Sequence, residues 1–71
     1  MEILVFKTNV TSKKKVSRIS PLLTSVSNIQ QWNIDLDDCD KVLRVVATEL
    51  KPGSVESLLH TAGFNCQVLD Y

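Results

Sequence analysis

The fold is decided by residues 32–48, which read WNIDLDDCDKVLRVVAT. Apolar residues alternate with polar ones in the first part of this stretch: Trp32, Ile34 and Leu36. This alternation predicts a half-buried strand, and the valine-rich residues 42–48 predict a second strand. The turn-forming residues 37–40 lie between them. Because so short a connection has no room for a crossover helix, the two strands are predicted to pair as an antiparallel hairpin.

The residues before the hairpin predict a strand and a helix. Residues 2–8 are a short β-branched and aromatic run, which is typical of a strand, and either Thr11 or Ser12 is a suitable N-cap for a helix. Apolar residues then recur at helical spacing: Val16, Ile19, Leu22, Leu23 and Val26. Pro21 lies within this stripe, but the stripe continues in phase beyond it, so one helix is predicted.

The residues after the hairpin predict a second helix and a last strand. Pro52 suits the first position of a helix, and Gly63 suits the left-handed residue that ends one. Between them, apolar residues follow the i, i+3, i+4, i+7 pattern: Val55, Leu58, Leu59 and Ala62. Residues 64–69 alternate again, which predicts a strand with Cys66 on its buried side.

The resulting order is β-α-β-β-α-β in a single domain spanning residues 1–71. Right-handed crossovers place both helices on one face of a four-stranded antiparallel sheet. We therefore predict an α+β fold of the ferredoxin-like type. A chain of 71 residues has room for one core and little room for a deep enzyme cleft.

The composition narrows the class of partner. Lys and Arg together number 8 and Asp and Glu also number 8, so the net charge is zero, which argues against a nucleic-acid or anionic-membrane binder. The longest apolar run, residues 3–6, cannot span a bilayer, and no secretory signal is visible. Cys39 and Cys66 are too few for a disulfide framework, so reduced thiols and a cytoplasmic location are expected.

The charged residues are unevenly distributed. The chain has a basic block at Lys13, Lys14, Lys15 and Arg18, and an acidic block at Asp35, Asp37, Asp38 and Asp40. The predicted interaction surface consists of residues from both blocks and the residue before the first: Ser12, Lys13, Lys14, Lys15, Asp37, Asp38 and Asp40. A hard cation on the aspartates is a weaker alternative, because the acidic block lacks the glycine and terminal glutamate of a calcium loop.

Two further patterns match the frame of a known family. Six apolar residues fall where the family has those of its first helix and second strand: Val16, Ile19, Leu22, Ile29, Trp32 and Ile34. Residues 62–64, Ala-Gly-Phe, match the small residue, glycine and aromatic residue after its second helix. On these residues the chain resembles a heavy-metal-associated domain, the module of copper chaperones and metal-transporting ATPases. The resemblance covers nearly the whole chain and implies the same ferredoxin-like fold.

The metal motif of that family does not carry over. The family binds soft metal ions with Met-x-Cys-x-x-Cys in its first loop, because two thiolates suit Cu(I) or Zn(II). The corresponding residues of this chain are Val10, Ser12 and Lys15, so no family ligand transfers and no cofactor is expected. Lys15 places a cationic side chain near the place of the metal ion. This suggests the hypothesis that the domain docks to a partner without metal, because its surface permanently resembles that of a metal-loaded domain.

Relocated metal ligands are the alternative. The predicted topology puts the hairpin tip, the first loop and the end of the second helix at the same end of the domain. Cys39, His60 and Cys66 are therefore candidate ligands of a metal-binding or metal-transfer protein. Their spacing lacks the tight local pattern of a metal motif, and Cys66 alternates with apolar residues as a core residue does.

Catalysis has no support in the sequence. His60 is the one histidine, no nucleophile or carboxylate lies at a telling spacing from it, and there is no glycine-rich phosphate loop. The predicted strands 2–8 and 42–48 are apolar on both sides, so the sheet face away from the helices is expected to expose an apolar strip. The prediction is a non-catalytic binding module that interacts with another protein, or with itself through this open sheet face.

Overall fold

Six elements follow one another in the predicted order. The structure, a computed structural model, describes residues 2–69. The elements are β1 (Glu2–Thr8), α1 (Lys13–Thr24), β2 (Ile29–Asp35), β3 (Val42–Ala47), α2 (Pro52–Thr61) and β4 (Cys66–Val68). Neither of the described helices is long and apolar enough to cross a membrane.

The four strands form one antiparallel sheet in the order β2-β3-β1-β4. β1 and β3 are the central strands, and Phe6 lies opposite Leu43 in their register. β4 is a short edge strand that pairs with β1 from Cys66 opposite Thr8 to Val68 opposite Phe6. This strand order with two crossover helices is the ferredoxin-like arrangement, so the predicted α+β fold is confirmed.

α1 is a single helix despite the proline inside it. Ser12 is its N-cap, and the Ser12 Oγ accepts a hydrogen bond from the Lys15 amide at 3.3 Å. Pro21 removes one main-chain hydrogen bond and crowds the preceding turn, at about 3 kcal/mol. Ile19 and Leu23 are fully buried, and burial of such a side chain contributes about 1.5–3 kcal/mol. Burial of this pair offsets the cost of the proline, which explains why the helix continues past it.

α2 ends in a motif that only a left-handed residue allows. Gly63 has a φ of 90°. The Gly63 amide donates to the His60 carbonyl at 3.0 Å, and the Phe64 amide donates to the Leu59 carbonyl at 2.9 Å. These two bonds are those of a Schellman motif, and burial of both Leu59 and Phe64 supplies the apolar contact that accompanies it. The predicted role of Gly63 is confirmed.

One core lies between the sheet and the helices. Its buried members are Phe6, Val10, Ile19, Leu23, Leu43, Val45, Ala47, Val55, Leu59, Phe64 and Cys66. The predicted burial of Cys66 is therefore confirmed. Ala62 was expected on the buried stripe of α2 but is exposed, because it is the C-cap residue where the chain leaves the helix. The last strand is shorter than predicted, because the Phe64 amide bonds the Leu59 carbonyl and the Asn65 amide bonds the Asn9 side chain instead of the main chain of β1.

The sheet face away from the helices is less apolar than the sequence predicts. Ile3 is 68% exposed and lies opposite Val46, which is half-buried. Val42 is only 3% exposed, and the exposed Arg44 lies between Val42 and Val46 on the same side of β3. The apolar strip therefore reduces to Ile3, Val46 and the half-buried Val5. Self-association through this face stays a prediction.

Alanine substitutions at the two glycines check whether the left-handed Gly63 fixes the end of α2. At Gly63 a methyl group would meet no atom within 4 Å, so the cost is conformational and is expected to be about 1–2 kcal/mol. Gly53 lies within α2 in equally open space, so Gly53→Ala is expected to stabilise the fold by about 0.4–1 kcal/mol. Chemical denaturation measures both changes, and effects of the same sign at the two positions would contradict this account.

Candidate functional site

Three connections meet at one end of the sheet. This loop end consists of residues 9–12, 36–41 and 62–65. The Thr8 amide donates to the Asp40 carbonyl at 3.0 Å, and the Asn9 amide donates to the Asn65 carbonyl at 3.3 Å. The structure therefore brings together the first loop, the acidic hairpin and the turn after α2, as the predicted topology requires.

The side chain of Thr8 joins the first loop to the hairpin. Thr8 is 7% exposed, and its hydroxyl donates to the Lys41 carbonyl at 2.6 Å. The same Oγ1 accepts a hydrogen bond from the Val10 amide at 3.2 Å. A buried polar group that loses its partner costs about 1–3 kcal/mol, so these bonds hold the two loops in one relative position.

Asn9 joins the first loop to the turn after α2. Its Oδ1 accepts a hydrogen bond from the Asn65 amide at 2.8 Å, in addition to the main-chain bond between the same two residues. The first loop is thus fastened on both sides. This is the loop in which the resembled family carries its metal motif.

The residues at the family's metal positions have other roles in this chain. Val10 is fully buried in the core. Ser12 uses its hydroxyl to cap α1. Lys15 is half-buried, and its Nζ donates to the Thr11 Oγ1 at 3.0 Å, which holds the ammonium group over the first loop.

The hairpin groups three potential metal ligands. One ligand atom from each of Asp38, Cys39 and Asp40 lies within 4.8 Å of the other two. Within residues 2–69 this is the one such group of three. Cys39 is exposed. The Asp38 Oδ1 accepts a hydrogen bond from the Asp40 amide at 2.8 Å, and the Asp40 Oδ1 lies 3.7 Å from the Lys7 Nζ. The Oδ2 atom of each carboxylate takes part in neither contact.

The turn that carries this group is held closed by several bonds. Lys41 has a φ of 46°, a left-handed conformation that costs a residue with a Cβ about 1–2 kcal/mol. Its Nζ donates to the Leu36 carbonyl at 2.7 Å, and its amide donates to the Asp38 carbonyl at 3.1 Å. The Asp35 Oδ1 accepts the Asp37 amide at 3.1 Å. Two of the four aspartates in the acidic block, Asp35 and Asp38, therefore shape the turn with their own side chains.

A polar groove of about 510 Å³ lies beside β4. It is lined by Lys7, Thr8, Asn9, Glu56, His60, Asn65, Cys66 and Gln67. The predicted relocated ligands are thus divided, because His60 and Cys66 line this groove while Cys39 lies on the hairpin. Glu56 joins them in the groove, and no feature of the sequence around this helical glutamate indicated its position.

Burial keeps the Cys66 thiol neutral. Desolvation, with a smaller contribution from the Glu56 carboxylate, raises the pKa of Cys66 from 9.0 to about 12. Because the fold favours the neutral thiol, its contribution to stability is complete below pH 9.0 and is lost as the pH rises from there towards about 12. Metal ions bind the thiolate, so Cys66 is a poor ligand at neutral pH.

The two thiols are expected to differ in reactivity. Cys39 is exposed and Cys66 is buried with a raised pKa, so a disulfide reagent at pH 8 should modify one thiol per chain rapidly. Modification of the second thiol should require unfolding and accelerate with denaturant. Cys39→Ser serves as the control and should remove the rapid phase. Rapid modification of two thiols in the folded wild type would contradict the burial of Cys66.

Comparison with known proteins finds similarity in structure. No family model matches the chain, and no curated protein matches it. The yeast copper transporter domain Ccc2a is 17% identical with a TM-score of 0.83, over 99% of this chain and 97% of that one. The same values hold for the Atx1–Cu(I)–Ccc2a complex.

Two further neighbours extend the similarity to other metal proteins. The copper(I)-loaded first domain of the human copper chaperone for SOD1 is 24% identical with a TM-score of 0.77, over 93% of this chain and 89% of that one. The N-terminal domain of ZntA in its Zn(II) form is 16% identical with a TM-score of 0.78, over the same shares. The chain therefore has the fold of heavy-metal-associated domains, and the resemblance predicted from its sequence is confirmed at the level of the fold.

Proposed function

We propose that the chain is a metal-binding domain, without a catalytic step, that holds a divalent ion on its hairpin and presents it to a protein partner. The observation that carries this proposal is the group formed by Asp38, Cys39 and Asp40, whose ligand atoms lie within 4.8 Å of one another. The fold supports it, since the neighbours named above include copper and zinc domains.

The donor set favours one class of ion. One thiolate and two carboxylates suit Zn(II), which accepts sulfur at about 2.3 Å and carboxylate oxygen at about 2.0–2.2 Å. Cu(I) prefers soft ligands, and this group offers a single sulfur. Three protein ligands leave one position of a tetrahedral zinc site open. A ligand from a protein partner would fill that position, which is the arrangement that metal transfer needs.

The loop end provides the docking surface in this proposal. The metal group, the first loop and the basic first turn of α1 belong to the same end of the domain, where Thr8 fastens the hairpin to the first loop. The predicted surface residues Ser12 to Lys15 and Asp37 to Asp40 would meet the partner there. A partner protein is consistent with the Atx1–Cu(I)–Ccc2a complex, in which a domain of this fold is bound to another protein.

Zinc titration followed by native mass spectrometry tests the metal site. Wild-type protein in reducing buffer with a competing chelator is expected to bind one Zn(II) per chain and to bind Cu(I) less tightly. In Cys39→Ser the zinc affinity should fall by at least about 10-fold, since even a residue that merely supports a metal ligand contributes about 10–100-fold. The matched control is Cys66→Ala, which removes the buried thiol and should keep the ion.

Two results would overturn this assignment. Absence of a zinc adduct in the wild type would remove the metal-binding proposal altogether. An adduct that survives in Cys39→Ser but is lost in Cys66→Ala would move the site to the groove with His60 and Glu56.

Docking without metal is the second candidate function. It is favoured by the contact of the Lys15 Nζ with the Thr11 Oγ1 at 3.0 Å, which fixes a cation over the loop where the resembled family holds its metal ion. In this case the Lys15 ammonium supplies the positive charge that a partner would recognise.

Affinity capture in the presence of a metal chelator tests this second candidate. Proteins of the source cell retained by the immobilised wild-type chain should be lost on Lys15→Ser and kept on Lys14→Ser, because Lys14 is exposed on the same helical turn. Retention of the same proteins by the wild type and Lys15→Ser would count against a role for the Lys15 charge.

A further inference from the structure

β4 presents one side of its main chain to the outside of the sheet. The Leu69 amide donates to the Val5 carbonyl of β1 at 2.7 Å, and the Asn65 carbonyl accepts from the Asn9 amide. Main-chain groups of successive residues point in opposite directions in an antiparallel strand. The amides and carbonyls of Cys66 and Val68 therefore point away from β1, along the free edge of the sheet.

A side chain of α2 occupies part of this edge. The Val68 amide donates to the Glu56 Oε2 at 3.0 Å. The carboxylate thus accepts a hydrogen bond that the carbonyl of another strand would accept if the sheet continued. Glu56 is half-buried and Val68 is 37% exposed, so the contact lies where a competing strand can reach it.

The groove beside β4 gives such a strand room. Its volume of about 510 Å³ falls within the range of ligand pockets, about 300–1,000 Å³. Its lining comes from residues 65–67 at the start of β4, from Glu56 and His60 of α2, and from residues 7–9 at the end of β1. The part of the groove between β4 and α2 adjoins the free strand edge, and such a position is suited to an extended peptide that adds to the sheet as a further strand.

The opposite edge of the sheet is less suited to this role. β2 has an irregular register between Ile29 and Gln31, and a bulge of this kind disrupts the regular row of main-chain groups that a new strand needs. The Gln30 side chain also donates to the Thr48 Oγ1 at 3.1 Å, which holds it against the chain that follows β3. The two edges therefore differ in their capacity to accept a strand.

We propose that the free edge of β4 binds an extended segment of a protein partner as a fifth strand, in the place that the Glu56 carboxylate holds in the free chain. A carbonyl of the segment accepts the Val68 amide. The displaced Glu56 carboxylate is then available to a basic side chain of the segment, because the nearby Lys7 is already 3.7 Å from Asp40. The segment therefore carries Lys or Arg opposite Glu56. A second copy of this chain fits less well, since pairing of two β4 edges would bring two Glu56 carboxylates to one junction.

Selection from a displayed library of linear heptapeptides tests this proposal, with all steps in metal chelator so that the hairpin plays no part. Enriched peptides are synthesised and titrated into isotope-labelled protein. They are expected to carry Lys or Arg and to shift the amide resonances of residues 65–69. Val68→Pro removes the outward amide and leaves the bonds to β1 in place, so peptide affinity should fall by about 10-fold or more.

Glu56→Gln is the second variant and does not depend on the tolerance of β4 for proline. It keeps an oxygen that can accept the Val68 amide but removes the negative charge. The advantage of a peptide with Lys or Arg over the same peptide with alanine at that position should therefore be smaller for Glu56→Gln than for the wild type. Thermal unfolding confirms that each variant is folded before it is titrated.

Four results of the peptide experiments would overturn the proposal. The first two are a library that yields no enriched peptide and enriched peptides that shift resonances outside residues 65–69. The third is peptide binding to folded Val68→Pro as tight as binding to the wild type. The fourth is that replacing the basic residue of a peptide by alanine changes its affinity for the wild type no more than its affinity for Glu56→Gln. Concentration-dependent dimers of the wild type with shifts confined to β4 would make a second copy the occupant and would equally overturn it.

Discussion

The buried hydroxyl of Thr8 is the constraint on which the arrangement of the loop end depends. It lies at the end of β1 and bonds both to the Lys41 carbonyl of the hairpin and to the Val10 amide of the first loop. Only a side chain that donates and accepts at once can make both bonds from one buried atom. The neighbouring Asn9 repeats the connection towards Asn65. These bonds fix the relative positions of the three connections, so the loop end presents one surface.

The fold places the two cysteine thiols in different surroundings, one buried and one exposed. Cys66 faces the core from an edge strand, where desolvation and the nearby Glu56 both oppose its thiolate. Cys39 is exposed on the hairpin beside two carboxylates. A metal ion or a thiol reagent would therefore meet Cys39 first. This division explains how a domain with Ser12 and Lys15 at the metal positions of the resembled family can still offer sulfur at the same end.

The proposed metal site and the proposed peptide site are centred on different elements of the molecule. The first lies on the β2–β3 hairpin, and the second on the free edge of β4 and the side of α2 that faces it. Lys7 and Asp40 are the charged pair between the groove and the hairpin, 3.7 Å apart and both substantially exposed. An exposed pair of this kind contributes little to stability. The two sites nevertheless adjoin, because Thr8, Asn9 and Asn65 line the groove and also hold the loop end together.

The sequence by itself determined the order of the elements, the single helix through Pro21 and the left-handed end of α2 at Gly63. These follow from local periodicity and backbone conformation, which neighbouring residues specify. It also placed Asp38, Cys39 and Asp40 in one turn, but it assigned Cys39 to a different ligand set, with His60 and Cys66. Only the tertiary structure decided that Glu56 reaches the Val68 amide, that Val42 is buried and that His60 and Cys66 share a groove without Cys39. Those features depend on how the helices pack on the sheet, because they join residues of different elements, and no local pattern encodes that packing.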